Sequence, residues 1–262
     1  MPTTQQWAQA LYTARRDRRP IDPLSEVDAA LTADDAYAIQ RHLTSMIIAD
    51  GGELRGYKLG LTSWAMQESL GVNEPDFGPL LSSAMAGNGA IIDIDQLIAP
   101  RIEAEIALRL GSPLTGPGVT RHHAAAAIDT AEAVLEVVDS RIRDWRIRLV
   151  DTVADLASTA MVVTGTQAVP LDDFEPRLCG MAIYRNGELA ATGAGAAALG
   201  DPVAAVAWLA NRLAPFGTTL EPGHLILTGA LHAAFPIGPD DDIRADFDHL
   251  GSVQATCTGT RA

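Results

Sequence analysis

Apolar residues recur at helical spacing at the start of the chain. Trp7, Leu11 and Ala14 form one stripe, and Ala36, Ile39, Leu43, Met46 and Ile47 form a second over residues 34–49. Gly51-Gly52 ends the second helix, and the two prolines within 19–24 mark a loop before it. From Gly56 onward the period falls to two. Ile102, Ala104, Ile106, Leu108 and Leu110 alternate with more polar residues, and residues 243–247 and 253–257 alternate again. Ala182-Ile183-Tyr184, then Asn186-Gly187, then residues 188–192 predict a hairpin, because Asn-Gly suits a type I′ turn. Two helices interrupt the strands. One has Asp201 as N-cap, Pro202 at its first position, an apolar face of Val206, Leu209, Ala210 and Leu213, and Gly217 at its end. The other is predicted from about residue 122 to 132, capped by Thr120. The pattern divides the chain into a helical N-terminal cap or arm, 1–55, and a β-rich domain, 56–262.

Composition narrows the setting. With 262 residues and 47% hydrophobic content the chain can bury a sizeable core. A formal net charge of -14 argues against nucleic acid and anionic membrane surfaces as partners. It leaves room for a small anionic substrate, because a bound metal overrides global charge locally. Only Cys179 and Cys257 occur, too few for a disulfide framework or a thiolate zinc site, which suits a reducing cytoplasm. The polar N-terminus lacks a signal-peptide core, and no apolar run approaches the roughly 18–20 residues of a membrane span. A soluble cytoplasmic protein is expected.

The candidate chemistry is acidic. On a strand, Glu103 and Glu105 share one face roughly 6.5–7 Å apart, opposite Ile102, Ala104 and Ile106. Two such carboxylates either face water or share a cation. Glu136 lies inside Ala133-Val134-Leu135-Glu136-Val137-Val138, where burial is expected and an isolated charge is costly. Its partner is either Arg141 or Arg143, or a metal shared with Glu103 and Glu105. Three glutamates suit a hard cation such as Mg²⁺ or Mn²⁺ and disfavour zinc. Lys58, in Gly56-Tyr57-Lys58-Leu59-Gly60, is either an exposed loop lysine or an ammonium that binds a carboxylate or moves a proton. Asp155 and Ser158 would face together on a helical turn. Arg141, Arg143, Arg146 and Arg148 form a basic stripe that is solvated or ion-paired, with Arg141 within reach of the site. Pro75-Asp76-Phe77-Gly78 lacks the companions of a kinase metal motif, Gly193-Ala194-Gly195 is no dinucleotide fingerprint, and no G-x-S-x-G elbow is present.

Five ordered segments carry a resemblance: Gly-Tyr-Lys-Leu-Gly-Leu-Thr-Ser (56–63), Glu-Pro-Asp-Phe-Gly (74–78), Pro-Arg-Ile-Glu-Ala-Glu-Ile-Ala (100–107), Leu-Glu-Val-Val-Asp-Ser-Arg-Ile-Arg-Asp-Trp (135–145) and Val-Asp-Thr-Val-Ala-Asp (150–155). Together they resemble the 2-keto-4-pentenoate and 2-oxohept-3-ene-1,7-dioate hydratases of the fumarylacetoacetate hydrolase superfamily, from about residue 25 to 257. The resemblance implies an α+β fold, a mixed β-sandwich or roll with a helical N-terminal part. It implies Glu103, Glu105 and Glu136 as ligands of Mg²⁺ or Mn²⁺. Lys58, Asp76 and Asp155 become the catalytic candidates, and Lys58, Ser158 and Arg141 the substrate contacts. The activity implied is hydration of a small 2-hydroxydienoic or 2-oxo acid by a homo-oligomer, which could also associate with a pathway enzyme. The alternatives are a 4-oxalocrotonate-type decarboxylase, an acylpyruvate-type C–C hydrolase and, outside catalysis, a partner-stabilising subunit. Leu156 and the run His232-Ala233-Ala234-Phe235 depart from the family's usual pattern.

Overall fold

The computed structural model describes residues 1–64, 67–68 and 71–260. Three helices come first: α1 (Thr4–Asp17), α2 (Leu24–Val27) and α3 (Ala33–Ala49). Thr3 and Thr32 close capping boxes on α1 and α3 with Gln6 and Asp35, which satisfies free N–H groups at both helix starts. The apolar stripes of α1 and α3 turn inward, burying Trp7, Leu11 and Ala14 on one and Ala36, Ile39, Leu43 and Ile47 on the other.

The strands and later helices follow in order: β1 (Leu54–Gly60), β2 (Asp76–Leu81), β3 (Met85–Gly87), β4 (Ala90–Asp93), β5 (Arg101–Leu110), α4 (Arg121–Ala127), β6 (Ile128–Val138), α5 (Leu149–Ala154), β7 (Thr159–Thr164), β8 (Val169–Pro170), β9 (Gly180–Arg185), β10 (Glu188–Ala194), α6 (Pro202–Leu213), β11 (Leu225–Ala230), β12 (Phe235–Pro236), β13 (Asp242–Phe247) and β14 (Gly251–Thr258). The larger sheet runs β2-β1-β11-β5-β6-β7-β3, with β12 added to β5 and β8 to β6; the smaller runs β10-β9-β13-β14-β4. Both are mixed: β1–β11, β3–β7 and β14–β4 are parallel and the other pairings antiparallel. This is the α+β layout expected, with the helical part at the N-terminus.

Both faces of the larger sheet are apolar. Ile102, Ala104, Ile106, Leu135 and Val137 face the main core, which also holds Ile243, Ala245, Val253 and Ala255 of the smaller sheet. Trp7, Leu11 and Ile39 belong to that same cluster, so the N-terminal helices share this core rather than building their own. On the opposite face Leu80, Ala107, Val134, Val162, Leu225 and Leu227 make a second, smaller cluster. Truncating a fully buried core residue such as Leu135 to Ala costs about 2–5 kcal/mol.

The predicted hairpin forms, with Asn186 and Gly187 both at positive φ (54° and 82°) as a type I′ turn requires. The predicted helix over 122–132 is too long. Thr120 caps it, but it ends at Ala127, and β6 begins at Ile128. Residues 130–132 pair instead with Arg109, Leu108 and Ala107, so strand partners outweigh the local alanine-rich helix propensity. Among the described residues no helix is long and apolar enough to cross a membrane.

Candidate active site

The register of β5 on β6 sets Glu103 directly opposite Glu136, and Glu105 follows two residues along the same face. Carboxylate oxygens of all three lie within 4.8 Å of one another. Glu105 and Glu136 are fully buried, and Glu103 is half-buried. Lys58 projects onto the same side from β1, three strands from β6. In a flat sheet that offset would be about 14 Å at ~4.8 Å per strand. Nevertheless Lys58 Nζ stands 3.2 Å from Glu136 Oε2. The sheet therefore curls around this face, and the long lysine chain spans the remainder. Asp76, opposite Gly60 in the β1–β2 ladder, adds a fourth buried carboxylate. A Cβ at Gly60 would fall 2.1 Å from Asp76 Oδ1, so a side chain here would force the Asp76 carboxylate to move.

Four carboxylates here confront one ammonium. Burial is the main cause that raises Glu103, to about 7, with Lys58 opposing and Glu136 and Asp76 reinforcing. Burial, then Glu136 and Glu103, push Glu105 well above the usual carboxylate range, against Lys58 and the Gly229 N–H. Asp76 is also raised by burial, against the pull of Lys58. Burial alone would depress Lys58, but Glu136, Glu103, Glu105 and Asp76 outweigh it and keep the ammonium charged. Thr159 Oγ1 donates to Glu136 Oε1 at 2.7 Å, and the Gly229 N–H donates to Glu105 Oε2 at 2.8 Å. Glu105 Oε1, Glu136 Oε2, Asp76 Oδ1 and Ser158 Oγ are buried without hydrogen-bond partners among the described residues, although Glu136 Oε2 keeps its ion pair with Lys58. Unsatisfied buried oxygens are costly, and the three glutamates that converge here could hold a hard divalent cation. No Cys or His joins them among the described residues, as zinc would favour.

The far wall comes from the segment after α5. Leu156, Ala157 and Ser158 all have positive φ (57°, 50° and 59°), a left-handed turn rather than the right-handed one predicted. The Asp155 carboxylate turns to Arg141, whereas Ser158 Oγ has no hydrogen-bond partner among the described residues. L-residues pay steric strain in this region, so the surroundings must hold the turn. Arg141 does so. Its Nε and backbone N–H donate to the two Asp155 carboxylate oxygens at 2.5 and 2.9 Å, and Nη2 donates to the Asp155 carbonyl at 2.5 Å. Nη1 donates to the carbonyls of Asp139 and Thr159. The turn aims its Ala157 carbonyl at Lys58 Nζ (3.2 Å) and leads directly into Thr159, which donates to Glu136.

One expectation changes here, and one open alternative closes. Arg141, expected among the substrate contacts, is buried and spends its guanidinium on Asp155 and three carbonyls. Neither Arg141 nor Arg143 pairs with Glu136: Arg143 reaches exposed Asp22, and Glu136 takes Lys58. The lysine itself lies on a buried strand, not in an exposed loop. The contacts of Thr159, Gly229 and His232 are not legible in the sequence; the glycine in Leu-Thr-Gly-Ala (227–230) hints at a close approach, and His232 stands out only as part of an unusual run. Surface hollows of 580 and 240 Å³ lie beside Tyr12 and Arg15 and beside Tyr37 and Phe216, and no carboxylate of the cluster lines either one.

Known proteins resemble this sequence and share this fold. The fumarylacetoacetate (FAA) hydrolase C-terminal family profile matches residues 61–258. The chain is 43% identical over 251 residues to a 2-keto-4-pentenoate hydratase of Burkholderia vietnamiensis, covering 96% of each protein. It is 39% identical to a 2-hydroxyhexa-2,4-dienoate hydratase of Comamonas testosteroni, covering 95% and 94%. Among solved structures, the 4-oxalocrotonate decarboxylase from Pseudomonas putida G7, complexed with magnesium and adipate, superposes with a TM-score of 0.95 at 36% identity, over 97% of each chain. On these grounds the chain belongs to the fumarylacetoacetate hydrolase family, among the 2-keto-4-pentenoate hydratases and their relatives.

Proposed function

We propose that this protein is a divalent-metal-dependent hydro-lyase that adds water to a 2-hydroxy-2,4-dienoate to give a 4-hydroxy-2-oxo acid. The observation that carries the reading is the convergence of Glu103, Glu105 and Glu136 within 4.8 Å, beside a buried lysine. The names of its relatives supply the substrate class. Glu103, Glu105 and Glu136 would hold the ion, Mg²⁺ or Mn²⁺, through carboxylate oxygens that lie within 4.8 Å of one another, of which Glu105 Oε1 has no other partner among the described residues. When bound, such a cation supplies Lewis-acid stabilisation of negative charge on the substrate's 2-oxygen and orients its carboxylate.

The chain's own groups do the rest. Lys58, held protonated by the surrounding carboxylates, binds the substrate carboxylate. Ketonisation of the dienol needs the 2-hydroxyl proton removed and a proton delivered to the terminal carbon, C5. Hydration then needs a proton removed from water as it attacks C4 and one supplied to C3. Asp76 suits these transfers: it is buried, its affinity for a proton is raised, and Oδ1 has no hydrogen-bond partner among the described residues. Asp155 does not suit them, since both its oxygens are taken by Arg141; its role is to hold the left-handed turn that leads into Thr159. The reading includes a cytoplasmic homo-oligomer. Two buried free cysteines suit that compartment, and exposed Ile91, Leu178 and Leu189 offer apolar contact surface.

A second reading, decarboxylation of a 2-oxo diacid, is favoured by the 0.95 superposition on the decarboxylase. One assay separates them: purified protein with Mg²⁺ is given 2-hydroxypenta-2,4-dienoate and, separately, a 4-oxalocrotonate-type diacid. Formation of 4-hydroxy-2-oxopentanoate from the first supports the hydratase. CO₂ release from the second with no turnover of the first would overturn it in favour of the decarboxylase.

A further inference from the structure

The β5 strand that carries Glu103 and Glu105 is paired irregularly on one side. β11 pairs with it as far as Ala230 opposite Glu105, and β12 resumes at Phe235 opposite Ile102. A register shift lies between Leu227 and Ala230. At this bulge the Gly229 N–H leaves the backbone ladder and donates to the Glu105 carboxylate. Side chains fill the vacated places. Thr228 Oγ1 donates to the Ile106 carbonyl at 2.8 Å, where a backbone donor would stand in an unbroken ladder. The Ala104 N–H, between the two glutamates, donates to His232 Nε2 at 3.0 Å. The Leu231 N–H donates to the Ala104 carbonyl at 3.1 Å, so residue 104 is held on both sides by the loop that carries His232.

The ring's protonation pattern is set by its contacts. His232 Nδ1 lies 2.8 Å from the Ala233 carbonyl, which can only accept, so the proton sits on Nδ1 and the Nε2 lone pair faces Ala104. Phe235 packs on the ring, centroids 5.6 Å apart at 34°, and fixes its plane.

We infer that His232 is a positioning residue for the carboxylate site: its imidazole replaces the missing ladder acceptor between Glu103 and Glu105 and thereby fixes the spacing at which those two carboxylates can share a cation. The inference rests on the cation reading given above. Partners that orient metal ligands from outside typically contribute 10–100-fold to affinity, and His232 acts on two ligands through their shared backbone.

Metal-stripped full-length protein is titrated with Mn²⁺, with free Mn²⁺ followed by electron paramagnetic resonance, in the parent and in H232Q and H232N. A glutamine amide oxygen reaches about as far as Nε2, whereas that of asparagine stops near Nδ1. H232N is expected to weaken Mn²⁺ about tenfold, and H232Q to remain within threefold of the parent. His224→Ala removes an equivalent imidazole acceptor, from the Glu221 N–H, away from the carboxylates and is expected to leave Mn²⁺ affinity unchanged. If H232N does not fold, H232L takes its place. H232N binding as tightly as the parent, H232Q weakened as much as H232N, or H224A weakened equally, would each overturn the role of His232. A parent protein that binds no stoichiometric Mn²⁺ would instead overturn the cation reading itself.

Discussion

Lys58→Met removes the one ammonium from among Glu103, Glu105, Glu136 and Asp76 while keeping nearly the same volume on β1. Glu136 Oε2 then loses its ion-pair partner at 3.2 Å and has no hydrogen bond in its place. Breaking a buried pair by deleting one member costs about 3–5 kcal/mol, because the remaining charge stays desolvated. At about 2–4 °C per kcal/mol for a domain of this size, the melting temperature of metal-free protein should fall by roughly 6–20 °C at pH 8. The loss should shrink at pH 5.5, where the carboxylates can take up protons instead, and also on adding Mg²⁺, which supplies positive charge to the same oxygens. Turnover should not recover. Losing a preorganised group that stabilises developing charge costs about 10²–10³-fold in kcat. Differential scanning fluorimetry at both pH values, with and without Mg²⁺, reads the first effect and a steady-state hydration assay the second. An unchanged melting temperature at pH 8 together with kcat/KM within threefold of the parent would refute the placement of Lys58 at the centre of the site's charge balance.

Three further predictions follow from the same geometry. Metal-free protein should lose stability as pH rises: Glu103 is raised from 4.5 to about 7 and Glu105 is raised well above the usual carboxylate range, so the folded state binds more protons than the unfolded one across that window, and its advantage disappears as pH passes upward through about 7. Saturating Mg²⁺ should flatten this dependence, and a melting temperature rising from pH 5 to 8 without metal would contradict the buried cluster. Gly229→Ala should cost about 2–6 kcal/mol in a denaturant melt, because φ is +114° and the new Cβ would fall 2.0 Å from Thr62 Oγ1; an unperturbed melt would show that the bulge is drawn wrongly. Asp76→Asn should keep its melting temperature and lose about 10²–10⁴-fold in kcat, whereas Asp155→Asn should lose about 3–5 kcal/mol of stability. The reverse pattern would exchange their roles.

The metal-ligand candidates were legible because strand alternation is a strict code: Glu103 and Glu105 two apart must share a face, and a glutamate inside Leu135-Glu136-Val137-Val138 must find compensation. What the chain order hides is which distant strand supplies that compensation. Lys58 reads equally well as a loop lysine until β1 is set beside β11 and the sheet curls. The left-handed turn at Leu156, Ala157 and Ser158 is not legible in the sequence, because none of these residues signals positive φ; Arg141, fourteen residues away from Asp155, holds it. The end of α4 was misread for the same kind of reason, since the partners of residues 130–132 sit on β5. His232 stands out in the sequence only within an unusual run, and its significance depends on a ladder gap that only the β11–β5–β12 register reveals.

The most direct test is a crystal of the protein grown with Mn²⁺ and measured at the manganese absorption edge. A single anomalous peak should sit about 2.0–2.3 Å from one oxygen each of Glu103, Glu105 and Glu136. A peak elsewhere, or one that touches only one of these side chains, would contradict the shared-cation site.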